Sequence, residues 1–168
     1  MATVEVKTPA FLQWTPSGMR LGEGSAVSPG RRRKPTYGGS IGLTDCSAQK
    51  VMATLREGLP VIAFESLRTA LDVPARALAE TTNIAVRTLA RRKQEGRLRK
   101  DESERVLRIG ALLDRATEVL EGRDAARLWL KSPKPALGGS TPLEYADTEP
   151  GAREVEDLLT RLEYGVFS

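Results

Sequence analysis

The stretch Ala75-Arg76-Ala77-Leu78-Ala79-Glu80-Thr81-Thr82-Asn83-Ile84-Ala85-Val86-Arg87-Thr88-Leu89-Ala90-Arg91-Arg92-Lys93-Gln94 decides how the chain is read. It fits a helix-turn-helix. Ala79 is the small residue where two helices pack closely, and Asn83 is the turn residue that tolerates positive φ. Ile84 and Leu89 are the apolar residues after the turn and inside the second helix, with Leu78 beside them. The remaining slot, usually apolar, holds Arg92. An ordinary αα-hairpin fits the same spacing, and charge separates the two readings. The second helix carries Val86, Arg87, Thr88, Arg91, Arg92 and Lys93, and Arg97, Arg99 and Lys100 follow it. Between Arg87 and Lys100 only Glu95 opposes them. The first turns of such a helix meet base edges in a major groove, which suits Arg87, Thr88 and Arg91. Arg92, Lys93 and the later cations suit phosphates, where affinity is salt-dependent and blind to sequence. The six residues on this helix are the candidate DNA contacts.

Outward from this stretch the punctuation is helical. Val51, Met52 and Leu55 share one face of a helix that Gly58-Leu59-Pro60 ends. Phe64, Leu67 and Leu71 stripe the next, and Asp72, two residues before Pro74, is a start signal for the third, which runs through Thr81. The spacing predicts a fourth helix over 85–94, closed by Gly96 in a left-handed conformation. A long helix over about 101–121 has Val106, Ile109, Leu113, Ala116 and Leu120 as its buried stripe. Asp101, Glu102 and Glu104 favour its N-terminal dipole. No convincing strand pattern follows residue 10, so the fold class is all-α: a helix-turn-helix half, then a small helical domain.

The first part of the chain differs. From Thr15 to Ser40, thirteen of twenty-six residues are Gly, Pro or Ser, with Arg31-Arg32-Arg33-Lys34 inside. Such a segment buries too little apolar surface to offset its chain entropy, and it reads as a flexible arm. The basic tetrad suits either a DNA arm or a solubilising linker. Thr3-Val4-Glu5-Val6 alternates like an edge strand or a frayed terminus. The expected organisation is an arm at 1–42, a DNA-binding domain at 43–122 and a second domain at 123–168.

Composition narrows the functional classes. The 168 residues contain no histidine, which excludes His-dependent triads and mixed Cys/His zinc sites. No P-loop or dinucleotide glycine fingerprint is present, so an enzyme is the minority reading, with no cofactor and no metal expected. The single cysteine, Cys46, forms no intrachain disulfide and suits a reducing cytoplasm. No apolar run approaches the ~18 residues that cross a bilayer, and the first fourteen residues lack a secretory pattern. The net charge of +4 conceals a division: residues 61–100 carry nine Lys/Arg against four Asp/Glu, and residues 101–168 nine against fourteen. A basic middle and an acidic end suggest two surfaces for two partners.

Past Gly122 the spacing predicts a short helix over 124–130 with Trp129, a turn-rich run, and a brief helix capped by Thr141 and begun by Pro142. Another helix follows over about 151–163, striped by Ala152, Val155, Leu159 and Leu162. The tail Tyr164-Gly165-Val166-Phe167-Ser168 is apolar, with no later element to cover it. It either folds back on Trp129 and Leu143 or enters a partner.

Residues 133–144 read Pro-x-Pro-Ala-Leu-Gly-Gly-x-Thr-Pro-Leu-Glu, and Thr148, Gly151-Ala152, Val155, Leu158-Leu159, Arg161 and Gly165 follow. This pattern closely resembles the toxin-binding domain of Xre/MbcA/ParS-type antitoxins. Arg87-Thr88-Leu89-Ala90-Arg91-Arg92 and Gly96-Arg97-Leu98 resemble the same family's helix-turn-helix half. The resemblance covers about residues 55–168. It departs at Ala85, where a Ser or Thr cap is common, and at Tyr145-Ala146, where two aliphatics are usual.

The resemblance implies a RES-domain toxin as partner, a protein that destroys or transfers from NAD⁺, whose pocket the C-terminal domain blocks. It also implies repression of the chain's own operon by the antitoxin–toxin complex, through the helix-turn-helix on operator DNA. A homodimer within that hetero-oligomeric complex is expected because one such helix covers only a half-site. The toxin-binding residues expected on this basis are Leu143, Tyr145, Leu159, Leu162, Glu163, Tyr164, Val166 and Phe167. A stand-alone helix-turn-helix regulator whose C-terminal domain mediates self-association is the competing reading. A polar-localisation or partition adaptor is the third.

Overall fold

The computed structural model describes residues 38–43 and 47–165. Thr3–Val6, the tetrad Arg31–Lys34, Cys46, Val166 and Phe167 lie outside the described residues. Within them run eight α-helices: α1 (Ala48–Glu57), α2 (Ile62–Leu71), α3 (Ala75–Thr81), α4 (Val86–Glu95), α5 (Lys100–Val119), α6 (Arg123–Lys131), α7 (Pro142–Tyr145) and α8 (Glu149–Glu163). A 3-10 turn at Pro135–Leu137 precedes α7. Among the described residues the only extended pairing is an isolated bridge between Pro60 and Arg97. It clasps the α1–α2 link to the α4–α5 link, with Leu98 N–H donating to Leu59 C=O at 2.8 Å. The all-α reading holds, as do the order and approximate bounds of the helices.

α5 is the axis around which the described helices pack. It packs against α1, α2, α6 and α8. Its inward residues are Val106, Ile109, Leu113 and Ala116, as the periodicity predicts, widened by Ser103, Gly110 and Leu112. A stripe that broad serves neighbours on more than one side. Phe64, Leu67 and Leu71 of α2 and Leu78 of α3 complete the core beneath the helix-turn-helix.

Several local expectations are corrected. Asp72 does not start α3; it ends α2 in the left-handed conformation (φ 55°), its N–H donating to the C=O groups of Arg68 and Thr69, and Pro74 is the residue before α3. Met52 faces outward rather than into the α1 stripe, and Leu120 is only half-buried, because α5 ends just before it. α8 starts two residues earlier than the spacing predicts, since the Thr148 hydroxyl accepts the Gly151 N–H.

Residues 38–42, which the composition assigns to the flexible arm, are pinned to α5. The Asp114 carboxylate accepts the N–H groups of Gly38 (3.2 Å) and Ser40 (3.0 Å), and the Ser40 hydroxyl donates to Gly110 C=O at 2.9 Å. Ile41 is 2% exposed and rests on Gly110, where an added Cβ would lie 2.7 Å from Ile41 Cγ2. A Gly/Ser count registers the loop and misses the one Ile that anchors it.

Candidate functional site

The turn between α3 and α4 is built as the template requires. Thr82 is buried, its hydroxyl donating to Leu78 C=O at 2.7 Å, and Asn83 adopts the left-handed conformation (φ 49°). Ile84 N–H returns to Ala79 C=O at 2.8 Å, and Ala79, Ile84 and Leu89 are all buried. The Arg105 guanidinium, from α5, donates to Thr82 C=O at 2.7 Å and ties the turn to the central helix. Ala85 caps α4 with backbone alone: its C=O accepts the Leu89 N–H, and no side chain takes part. Gly96 closes α4 in the left-handed conformation at φ 79°.

The six candidate DNA contacts separate into distinct environments. Val86 and Arg87 are exposed at the start of α4, Thr88 is half-buried, and Arg91 is exposed beside Glu95 at 3.6 Å. Arg92 does not belong with them. Its side chain is 3% exposed, with Nε donating to Glu102 at 2.8 Å, Nη2 to the same carboxylate at 3.1 Å, and Nη1 to Glu95. The slot that usually takes an apolar residue is a core slot here too, and α5 supplies the carboxylate that makes an arginine tolerable in it. These bonds hold the guanidinium still more firmly protonated than usual, led by Glu102 and then Glu95. Glu102 is the buried counterpart. Burial pushes its carboxyl up, but Arg92 and the Arg99 N–H (2.7 Å) outweigh it and bring it below its ordinary value. The dipole role expected of Glu102 is secondary to this pairing.

Lys93 is exposed but reaches back to Glu65 of α2 at 2.8 Å, and Glu65 also binds Arg68. Hydrogen bonds from Lys93, then Arg68, draw the Glu65 carboxyl below its usual range. The cations facing outward from α4 are therefore Arg87 and Arg91. Glu65 and the pairing of Glu102 with Arg92 are what sequence reasoning missed, and the apolar slot occupied by Arg92 is the one signal pointing to a buried counter-charge.

The C-terminal elements wrap the other side of α5. Arg127 of α6 donates to Ala70 C=O (2.6 Å) and Thr69 C=O (3.3 Å), and Lys131 to Asp72 C=O (3.2 Å), so α6 caps the carbonyl end of α2. Lys134 lies over the Trp129 ring at 5.2 Å, and Thr141 and Glu144 form a reciprocal capping box at α7. α8 turns Ala152, Val155 and Leu159 inward, and Arg108 and Arg115 of α5 pair with Glu149 and Glu163 along its flank. α7 and α8 meet closely at Gly151, where a Cβ would lie 1.9 Å from Tyr145 C=O.

Of the expected toxin-binding residues, Leu143 and Leu159 are buried in the chain's own core and are not available to a partner. Helical spacing marks an inward stripe as readily as a docking face. Tyr145 is half-buried, its hydroxyl donating to Glu154 at 3.0 Å on the edge of an open depression of about 320 Å³ that Glu144 and Asp147 also line. Leu162 is half-buried, Glu163 is exposed beside Arg115, and Tyr164 is 72% exposed at the end of α8. Tyr145, Glu154 and the acids beside them thus share one face, and Leu162 to Tyr164 stand at the tip of α8.

This geometry defines a class: a helix-turn-helix protein with an all-α C-terminal domain packed on the same central helix. Residues 50–110 match the antitoxin Xre-like helix-turn-helix domain, and residues 115–165 match the antitoxin Xre/MbcA/ParS C-terminal toxin-binding domain. Antitoxin Xre of Yersinia enterocolitica is 34% identical over 130 residues, covering 76% of this chain and 88% of that protein. Antitoxin Xre of Photorhabdus laumondii is 32% identical over 131 residues (77% and 88%), and the Prs ADP-ribosylating antitoxin of a Sphingobium species 26% over 127 residues (70% and 80%). The chain belongs to the Xre antitoxin family. The two domain matches adjoin within α5, the element that both halves use.

Proposed function

We propose that this antitoxin neutralises a RES-domain, NAD⁺-consuming toxin by covering its active site, and represses its own operon by reading operator DNA with α4. The observation that carries this reading is the match of residues 115–165 to a toxin-binding domain in a chain whose α4 presents Arg87 and Arg91 outward. Residues 139–168 hold two basic and seven acidic residues, which complements a pocket that must attract an anionic dinucleotide. The Sphingobium relative's name couples an antitoxin to ADP-ribosylation, a chemistry that draws its group from NAD⁺.

In this reading the partner meets Tyr145, Leu162, Glu163 and Tyr164, with Val166 and Phe167 following as the apolar anchor. Glu163 exchanges its surface pair with Arg115, which is worth little in water, for a cation at the toxin's rim. The antitoxin works as a homodimer, because one α4 covers only a half-site, and it acts by binding rather than catalysis, in the cytoplasm. Among the described residues no helix is long and apolar enough to cross a membrane. Functionally the chain divides into an arm that ends before the turn at 38–42, operator binding up to residue 122 and toxin binding at 123–168.

The test is co-expression with the adjacent reading frame, followed by co-purification and measurement of NAD⁺. Deleting Gly165–Ser168 should restore NAD⁺ loss while helical content and operator binding stay almost unchanged. Protection as good as the full chain's would sink the tail mechanism. Failure of the intact chain to co-purify with its neighbour would favour the stand-alone regulator.

A further inference from the structure

Gln94 is the polar side chain on the outer surface of α4 that the function proposed above leaves unused. At ~100° per residue, Leu89 and Arg92 mark the buried side of α4, and the opposite side holds Arg87, Ala90, Arg91 and Gln94, all exposed. The protein itself occupies most of the helix's charged groups: Arg91 with Glu95, Arg92 with Glu95 and Glu102, Lys93 with Glu65. Among the described residues, the side chains of Arg87 and Gln94 make no hydrogen bond or ion pair. They stand at i and i+7, two turns apart on one line, with Ala90 between them. A lone methyl at the midpoint lets the helix approach a surface closely while the longer side chains reach out on either side.

From this arrangement we infer that Gln94 is a second base-reading residue, acting in register with Arg87. This rests on α4 being the DNA-reading helix and on its lying along the groove, so that its last turn as well as its first meets base edges. A carboxamide presents a donor and an acceptor side by side, the pattern that matches N6–H and N7 of adenine, as a guanidinium matches O6 and N7 of guanine. Seven residues at ~1.5 Å each place the two side chains ~10.5 Å apart along the helix, about three base-pair steps of ~3.4 Å. The half-site therefore holds a guanine and an adenine about three steps apart. An amide can also donate to a phosphate, but such a contact carries no base preference.

The experiment is selection from a randomised duplex DNA library by the full chain, compared among wild type, Gln94→Ala and Gln94→Lys. Wild type should select a guanine and an adenine at that spacing. Gln94→Ala should keep the guanine, lose the adenine preference and bind the wild-type site roughly 5- to 150-fold more weakly. Gln94→Lys should move the preference at the second position from adenine to guanine. Thermal melting of both variants should match wild type, since the side chain is exposed and makes no hydrogen bond or ion pair with the described residues. An unchanged consensus with Gln94→Ala overturns the assignment and leaves α4 as the reading helix. A wild-type chain that enriches no sequence overturns both.

Discussion

At the scale of single residues, Arg92 has the composition of a DNA contact and the position of a core strut. Its neighbours in sequence are cationic, so a charge count places it on the phosphate-binding face. The helix-turn-helix template places it inside, and the template is right. Sequence spacing does not reveal that the carboxylate it needs lies ten residues on, across the α4–α5 link, because that pairing depends on where α5 packs. Two desolvated charges gain little over apolar groups of the same size, but one left alone costs a great deal. Arg92→Ala should therefore lower the melting temperature clearly and leave the preferred DNA sequence unaltered. Arg92→Leu combined with Glu102→Leu should recover most of the loss. Thermal melts and operator titrations of the three proteins check this. Because Glu102 titrates below its ordinary value of 4.5 in the folded chain, its contribution is complete above that value and lost as the pH falls through the folded pKa. The melting-temperature gap between wild type and Glu102→Gln should accordingly be full at neutral pH and shrink in acid.

At the scale of elements, the helices were legible and their fringes were not. Periodicity, Asn83, Gly96 and the Thr141–Pro142 start each act within a few residues, so the chain alone reveals the order of α1 to α8 and the bounds of α4, α5, α6 and α8 to within about two residues. The turn at residues 38–42 depends on contacts with α5 some seventy residues away, and local composition misassigns it. The inward placement of Leu143 and Leu159 is likewise a matter of which neighbour an amphipathic face meets. Gly110 offers a direct test of the turn's anchor. Gly110→Ala puts a methyl 2.7 Å from Ile41 Cγ2 within a close-packed contact. The helix itself gains slightly from alanine, by up to ~1 kcal/mol, whereas overpacking costs roughly 1–3 kcal/mol, so the net effect is modestly unfavourable. The turn yields first because it is the shorter element. Limited proteolysis should show new cleavage near residues 38–43, with operator binding preserved.

At the scale of the whole molecule, α5 belongs to both halves. Its beginning carries Glu102 and Arg105, which hold α4 and the turn before it, and further along Arg108 and Arg115 reach α8. α6 in turn caps the end of α2 through Arg127 and Lys131. The two functions proposed for this antitoxin therefore rest on one continuous core, and a cut chosen by function need not be a cut that folds. Severing the chain at 122 removes the surface on which α8 buries Val155 and Leu159, each worth roughly 1.5–3 kcal/mol on full burial. What remains, residues 123–168, is too small to replace that surface from within. Residues 100–168 keep α5 and with it both ion pairs to α8. Circular dichroism should show a cooperative melt for the 100–168 fragment and none for 123–168. The longer fragment alone should co-purify with the toxin proposed as the partner of the intact chain. If the 123–168 fragment melts cooperatively and binds as well, α5 is a neighbour of the toxin-binding domain rather than part of it.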